Sequence, residues 1–139
     1  MSVSKTKSTL TEFLGKKYIN LTTFRENGEA VPTPVMFAEV NGKLYVETQL
    51  SRYKVNRIKN NPKVEFSPCN MRGKVLGPIM EGTARILPKS EQNVAFEALR
   101  EKYFRFRLGD SISKIKSSRK KLKDDDRVYI EIIPKVKLI

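Results

Sequence analysis

The sequence predicts a mainly-β protein with peripheral helices, in which about six antiparallel strands close into a barrel. Two Asn-Gly dipeptides, at residues 27–28 and 41–42, separate strand-like segments, and Asn-Gly accepts the positive φ angles of tight hairpin turns. Consecutive hairpins make the first three strands an antiparallel meander, which argues against parallel βαβ winding. The later strand-like segments are interrupted by longer helical ones. A closed barrel with outer helices therefore fits the whole pattern and leaves no exposed sheet edge.

The first half of the chain is expected to hold two helices and three strands. They are a helix over 8–15, strands over 17–24, 31–40 and 44–48, and a helix over 51–60. Thr9 and Glu12 have the spacing of a capping box, which marks the start of the first helix. Pro32 and Pro34 cannot donate ladder hydrogen bonds. They place the start of the second strand at a sheet edge, or at backbone that is freed for a ligand.

The second half is expected to add three strands and one long helix. They are strands over 63–68, 78–87 and 127–133 and a helix over 90–108, with an irregular connection over 69–77. In the closing strand, Val128, Ile130 and Ile132 alternate with Tyr129 and Glu131, as in a strand with two different faces. The 139 residues contain no linker, repeat or low-complexity block, so we expect a single domain over 1–139.

The composition excludes several classes of chemistry. The sequence has no histidine, which removes Ser-His-Asp and Cys-His catalysis and histidine metal ligation. Its one cysteine, Cys69, allows no internal disulfide and no cysteine-cluster zinc site, so we expect no metal. The net charge of +13 favours anionic partners. We also expect a cytoplasmic protein without a membrane partner, because neither a signal-peptide pattern nor a membrane-spanning stretch occurs.

The junction between the third strand and the second helix is the first candidate site. A helix N-terminus offers unpaired N–H groups and a partial positive charge, both of which favour phosphate. Hydroxyls from Thr48 and Ser51 and cations from Arg52 and Lys54 can converge at this junction. The same residues also fit an ordinary N-cap beside a solvated helix face, so spacing alone leaves both interpretations open.

Several segments carry a family resemblance that spans residues 10 to 135. The sequence resembles the pyridoxamine-phosphate-oxidase-like split β-barrels in segments 32–37, 44–48, 54–58 and 61–64, through their order and spacing. Segments 67–73 and 77–85 are similar to the branch described as coenzyme F-420-dependent. The resemblance implies a six-stranded antiparallel split barrel of the FMN-binding type. It also implies a homodimer that binds FMN or F-420 at the subunit interface.

The resemblance also implies roles for the candidate phosphate residues. It places Thr48 and Lys54 on the cofactor phosphate. Ser51 stands one position earlier than the family's usual hydroxyl, and Arg52 is the candidate to replace an arginine where this chain has Tyr53. The arginine that begins the preceding strand in true pyridoxamine-phosphate oxidases is absent, which argues against that activity.

Two further segments are candidates for contact with the cofactor ring and its anionic groups. The predicted ring wall is the strand segment Thr33, Pro34, Val35 and Met36. Met36 and Phe37 are adjacent in a strand, so they cannot both point inward, and at least one of them belongs to the core. Arg72 and Gly73 either reach the cofactor from the neighbouring subunit or form a surface turn. Cys69 is expected to be a small buried side chain rather than a reactive thiol.

The leading functional hypothesis is an oxidoreductase that moves a hydride or electrons between F-420 or FMN and a small organic substrate. No catalytic residue is assigned. One alternative is a carrier of the cofactor without turnover, since fold does not decide activity. The other is a basic nucleic-acid-binding barrel, suggested by the cation-rich segment 114–123. That segment also fits a solvated surface or an attraction for a polyanionic cofactor, and the solvated surface is favoured.

Overall fold

A computed structural model describes residue 13 and residues 15–49, 53–107 and 127–135. Within these residues the chain forms six strands and two α-helices. Their bounds are β1 Tyr18–Phe24, β2 Ala30–Val40, β3 Lys43–Gln49, α1 Tyr53–Asn60, β4 Lys63–Cys69, β5 Met80–Ile86, α2 Gln92–Arg107 and β6 Arg127–Pro134. A short 3-10 helix, Lys89–Glu91, leads into α2.

The six strands close into one barrel in the order β1-β2-β3-β6-β5-β4, and each neighbouring pair is antiparallel. This confirms the predicted fold class, including the meander of the first three strands. Helix α1 packs against β1 and β5, whereas α2 packs against β2, β3 and β6. None of the described helices has the length and apolarity needed to span a bilayer.

Both Asn-Gly turns connect strands as predicted. In the turn between β1 and β2, Gly28 has a φ of 88°, and the Arg25 amide donates to the Glu29 carbonyl at 2.9 Å. In the turn between β2 and β3, Asn41 and Gly42 have φ angles of 52° and 81°. Two successive positive φ angles are typical of the turn that matches the twist of antiparallel strands. The dipeptides therefore set the register of the meander.

The barrel is split between β2 and β3. Their pairing runs from the Val40–Lys43 pair to the Phe37–Val46 pair and stops there. Beyond that point residues 30–36 of β2 pair only with β1, and residues 47–49 of β3 pair only with β6. The two strands diverge where the prolines remove ladder donors from β2. The start of β2 is thus a sheet edge inside a closed barrel, as Pro32 and Pro34 predict.

The barrel interior is filled largely by alternate residues of the strands, among them Ile130 and Ile132 of β6. This core cluster comprises Phe13, Ile19, Leu21, Phe37, Leu44, Val46, Ile58, Val64, Phe66, Ala84, Ile130 and Ile132. Its backbone packing is close at Gly82, where a Cβ atom would lie 2.8 Å from the Ile133 carbonyl oxygen. A second cluster lies between α2 and the outer face of the sheet and comprises Ala38, Tyr45, Leu87, Ala95, Leu99 and Tyr129.

Three predictions fall outside the described residues wholly or in part. The helix over 8–15 is represented only by Phe13, which is buried in the core, and Gly15. The basic segment 114–123 lies outside entirely, as do the first two residues of the helix predicted over 51–60. The remaining strand and helix bounds agree with the prediction to within about two residues. The largest differences are at β5 and α2, which each begin two positions later, α2 after its 3-10 turn.

Candidate cofactor-binding site

Thr48 and Lys54 meet at the β3 side of the split. Thr48 lies in the part of β3 that has lost its β2 partner, and Lys54 lies in the first turn of α1. The Lys54 ammonium donates to the Thr48 hydroxyl at an Nζ–Oγ1 distance of 3.2 Å. Both side chains are buried, with 9% of Thr48 and 8% of Lys54 exposed. The structure therefore joins the two residues to which the sequence assigns the phosphate.

Helix α1 holds Lys54 inward because of its neighbours. Val55 and Ile58 are buried, with Val55 fully covered and Ile58 part of the barrel core. Since residues 54, 55 and 58 lie on one side of a helix, burying the two apolar side chains carries Lys54 toward the barrel as well. Burial of an ammonium is costly unless polar groups solvate it, so its position beside a hydroxyl is energetically required rather than incidental.

The predicted ring-wall segment forms the β2 side of the split. Thr33 and Val35 are half-buried, and Val35 packs against the barrel core. Pro34 is exposed on the opposite face. Met36 shares that outer face, where its sulfur accepts a hydrogen bond from the Tyr103 hydroxyl of α2 at 2.6 Å. Phe37 points into the core, so the predicted alternation of Met36 and Phe37 is confirmed.

The connection between β4 and β5 brings Gly73 to the same outer face as Pro34. The Asn20 side-chain amide donates to the Gly73 carbonyl at 3.0 Å, and a Cβ atom on Gly73 would lie 4.0 Å from Pro34 Cγ. Gly73 has a φ of 89°, a conformation that glycine adopts without strain. Arg72 is exposed next to it. The connection is thus fixed against β1 and β2, with an arginine at its tip.

Two other predicted site residues, Ser51 and Arg52, lie outside the described residues. Cys69 is 2% exposed, and burial raises the pKa of its thiol. Its predicted role as a small buried side chain is confirmed, and its thiolate is disfavoured.

A second, partly buried lysine was not predicted. Lys102 of α2 places its ammonium 3.5 Å from the centroid of the Phe37 ring. Burial lowers the pKa of Lys102 to about 8, while the charge of Glu39 acts in the opposite direction. An ammonium above an aromatic face gains a cation–π attraction that offsets part of its desolvation. No sequence signal marks this residue, because its burial depends on how α2 docks onto the barrel.

A hydrogen-bonded carboxylate joins β3, β5 and β6 beneath α2. The buried Glu131 accepts a hydrogen bond from the Tyr45 hydroxyl at 3.0 Å and another from Arg85 Nε at 2.9 Å. Arg85 also pairs with Glu91 at 2.9 Å. Burial raises the pKa of Tyr45 to about 12, and the Glu131 carboxylate contributes by accepting a hydrogen bond from the neutral phenol and by repelling the phenolate.

This cluster predicts a loss of stability in alkaline solution. A tyrosine in the unfolded chain ionises near pH 10. Between about pH 10 and 12 the unfolded state therefore loses the Tyr45 proton while the folded state keeps it. The contribution of Tyr45 to the free energy of unfolding is complete below pH 10 and is lost as the pH rises toward 12. We expect a base titration followed by tyrosinate absorbance to show a late step near pH 12. Burial also raises the pKa of Tyr129, so the late absorbance change should fall by one tyrosine in Tyr45→Phe and stay unchanged in Tyr53→Phe. An undiminished late step in Tyr45→Phe would contradict the assignment.

One cavity in the described part of the chain was also not predicted. It has a volume of about 670 Å³ and lies between α1 and the turn that joins β1 to β2. Its lining includes Arg25 and Arg57, which are far apart in sequence, so no local motif could identify it. Among the described residues no group of three or more acidic or cysteine side chains is arranged to hold a metal ion.

Comparisons with known proteins agree with this architecture. The family model described as pyridoxamine 5'-phosphate oxidase matches residues 6–135. No curated protein sequence matches the chain significantly.

Three solved structures illustrate the range of proteins with this fold. An FAD-binding protein from Mesorhizobium loti is 12% identical, with a TM-score of 0.65, over 93% of this chain and 88% of its own. An F420 reductase is 21% identical, with a TM-score of 0.58, over 91% and 93%. The heme storage protein of Vibrio cholerae is 12% identical, with a TM-score of 0.61, over 98% and 92%. At these identities the likeness establishes the shared fold.

Proposed function

The chain belongs to the pyridoxamine 5'-phosphate oxidase family, and from that premise we propose that it binds FMN or coenzyme F-420 at the split and acts as an oxidoreductase. The bound ring would supply the hydride or electron transfer to or from a small organic substrate. The protein's own contribution is to bind the cofactor, orient it and exclude water.

The observation that carries the proposal is the Thr48–Lys54 pair at the split. Only 8% of Lys54 is exposed, so a phosphate that reaches its ammonium group competes with little water and gains a strong charge-assisted hydrogen bond. The Thr48 hydroxyl beside it can donate to a second phosphate oxygen. These donors suit a phosphate ester better than a neutral ligand. The residues present therefore fit the phosphate end of either cofactor.

The β2 side of the split suits a flat ring. Residues 30–36 have a ladder partner only in β1, so this edge of β2 has main-chain groups that are not used by β3. Val35 adds an apolar side chain that is half-buried against the core. A flavin or deazaflavin ring needs an apolar wall with a few main-chain donors and acceptors along its polar edge. The geometry supports a ring between the diverging strands and a phosphate at Lys54.

We also expect a homodimer that completes the site. The connection between β4 and β5 exposes Met71, Val75, Leu76 and Ile79, each at 46% or more. Such a cluster of large apolar side chains is typical of an interface. Because this connection is hydrogen-bonded to Asn20 and lies near Pro34, a partner subunit packed on it would lie close to the β2 edge. Arg72 at its tip would then be positioned to meet a cofactor across the interface.

A heme-based function is less compatible with this chain. The sequence contains no histidine, which is the commonest protein ligand of heme iron. Its only cysteine is buried, with a raised thiol pKa, so it is poorly suited to ligate iron as a thiolate. The second candidate function is a flavin or deazaflavin carrier without turnover, which the same phosphate site would serve equally well.

Parallel fluorescence titrations of the purified protein with FMN and with F-420, at low and at physiological ionic strength, test the proposal. We expect saturable binding of one cofactor at one equivalent per chain, with a modest effect of salt. Binding that vanishes with salt would instead indicate non-specific attraction to a basic surface. Failure of both cofactors to bind would contradict the proposal.

A turnover assay separates the enzyme from the carrier. The reduced cofactor is mixed with a panel of small electrophilic substrates, and its absorbance is followed with and without protein. Protein-dependent oxidation that saturates with substrate supports an oxidoreductase. Tight cofactor binding without any acceleration across the panel favours the carrier.

A further inference from the structure

The cavity between α1 and the β1–β2 turn is separate from the candidate cofactor residues. It is lined by Phe24, Arg25, Glu26, Tyr53, Asn56, Arg57, Asn60 and Asn61. The helical lining residues 53, 56, 57 and 60 follow a spacing of three and four, so they share one face of α1. Lys54, Val55 and Ile58 are buried on the other side of the same helix. The cavity and the Thr48–Lys54 pair therefore lie on different faces of α1.

The charges of this cavity favour an anion. Arg25 and Arg57 supply two guanidinium groups against the single carboxylate of Glu26. Arg57 is fixed in place, because its Nε donates to the Thr23 hydroxyl at 2.6 Å. Burial, and to a lesser degree the charge of Arg25, lower the pKa of the Arg57 guanidinium. Across the described ranges, neither arginine forms a salt bridge with a carboxylate.

The remaining lining groups favour an aromatic ligand with polar edges. Two lining residues are aromatic: Tyr53, which is 78% exposed, and Phe24, which is half-buried. Aromatic faces bind flat heterocycles by stacking, largely irrespective of which base is present. Asn56, Asn60 and Asn61 add three side-chain amides to the lining. An amide presents both a donor and an acceptor, which is the pattern that the edge of a nucleobase requires.

The size of the cavity limits the ligand. A volume of about 670 Å³ lies within the range of sites that hold a drug-sized molecule. A single inorganic anion would occupy a small part of it and leave the aromatic side chains unused. A mononucleotide combines a doubly charged phosphate, a flat heterocycle and hydrogen-bonding edges in a molecule of suitable size.

We propose that this cavity binds a nucleoside phosphate, with Arg25 and Arg57 on the phosphate and Phe24 and Tyr53 beside the base. The site lies apart from the Thr48–Lys54 pair and goes beyond the proposed cofactor binding. The nucleotide can come from two sources, a free mononucleotide or one unit of a single-stranded nucleic acid. The shared chemistry is the base together with its phosphate.

Calorimetric titration of the full chain with AMP, adenosine and inorganic phosphate tests the proposal. We expect saturable binding of AMP and much weaker binding of the two fragments. Arg25→Gln should weaken AMP binding about tenfold or more, as expected for the loss of a charge-assisted hydrogen bond. Arg100→Gln is the matched control, because it removes the same charge from an exposed position on α2. It should leave AMP binding unchanged, as should Lys54→Ala.

Three outcomes would overturn the proposal. They are the absence of AMP binding, equal losses in Arg25→Gln and Arg100→Gln, and displacement of AMP by FMN or F-420 together with loss of cofactor binding in Arg25→Gln. The last would make the cavity part of the cofactor site.

A short single-stranded oligonucleotide identifies the source of the nucleotide. If it binds more tightly than AMP and with the same dependence on Arg25, the source is a strand. If AMP binds as tightly, the source is the free nucleotide.

Discussion

Replacement of Lys54 by alanine is expected to weaken the binding of FMN or F-420 by roughly ten- to a hundredfold. The reason is the loss of a charge-assisted hydrogen bond to phosphate, which contributes about 1.5–3 kcal/mol. The effect should be large for a single side chain because Lys54 is almost fully buried, so water cannot replace the ammonium in the site. Fluorescence titration of wild type and variant under the same buffer conditions gives the ratio of dissociation constants.

Two further variants make this result specific. Lys59 is exposed on the same helix, so Lys59→Ala removes an equal charge without touching the split and should bind cofactor like the wild type. Lys54→Met keeps most of the buried apolar stem while removing the charge. It should lose affinity as Lys54→Ala does, with a smaller loss of thermal stability. Unchanged affinity in both Lys54 variants would remove this residue from the site.

Replacement of Phe66 by alanine is expected to lower the free energy of unfolding by about 3–5 kcal/mol, the usual cost of deleting a fully buried aromatic side chain. Phe66 is 1% exposed in the barrel core, and its ring lies 5.6 Å from that of Phe13. It also fills the space above Gly82, where no side chain can enter. The surrounding strands are hydrogen-bonded on both sides of β4, so they cannot close the cavity that remains.

Urea unfolding followed by circular dichroism measures this change. Phe104 offers a matched control, since it is a phenylalanine on α2 that is 59% exposed. We expect Phe104→Ala to change the free energy of unfolding by less than about 1 kcal/mol, as is usual for surface substitutions. Similar losses in the two variants would show that Phe66 does not have the core position described above.

The two tests address different properties of the protein. A Phe66 variant that unfolds more easily should still bind cofactor at low temperature, because Thr48 and Lys54 lie on β3 and α1, whereas Phe66 lies on β4. A Lys54 variant should retain the barrel while it loses phosphate affinity. Cofactor affinity and barrel stability are separable because the polar site lies at the unpaired end of β3 and not in the apolar core.

Local sequence patterns were sufficient to predict the barrel. The Asn-Gly dipeptides mark the two hairpins because few residues tolerate positive φ angles, which Gly28 adopts in the first turn and both Asn41 and Gly42 adopt in the second. Alternation in β6 placed Val128, Ile130 and Ile132 on one face, and all three are buried there. Pro32 and Pro34 predicted an edge at the start of β2, and the β2–β3 ladder ends beside them. Each of these features depends on residues that are adjacent in sequence.

The phosphate pair could be predicted only in part. The spacing of Thr48 and Lys54 suggested a common site, yet it also fitted a solvated helix face. Burial excludes a solvated position for Lys54, because Val55 and Ile58 pack α1 against the barrel and cover Lys54 as well. Phosphate binding by Thr48 and Lys54 stays a prediction. Whether Arg72 acts in the same site stays a prediction, since its role depends on a second subunit.

The sequence by itself determined the strand order of the meander, the alternation of side chains in β6 and the position of the edge in β2, because these follow from local backbone chemistry and side-chain periodicity. Only the tertiary structure decided which distant side chains meet. Arg25 and Arg57 share a cavity, Tyr45 and Arg85 share the carboxylate of Glu131, and Lys102 lies over Phe37. The contacts of Glu131 depend on the register of β6 with β3 and β5, and the other two depend on how the helices dock onto the closed barrel.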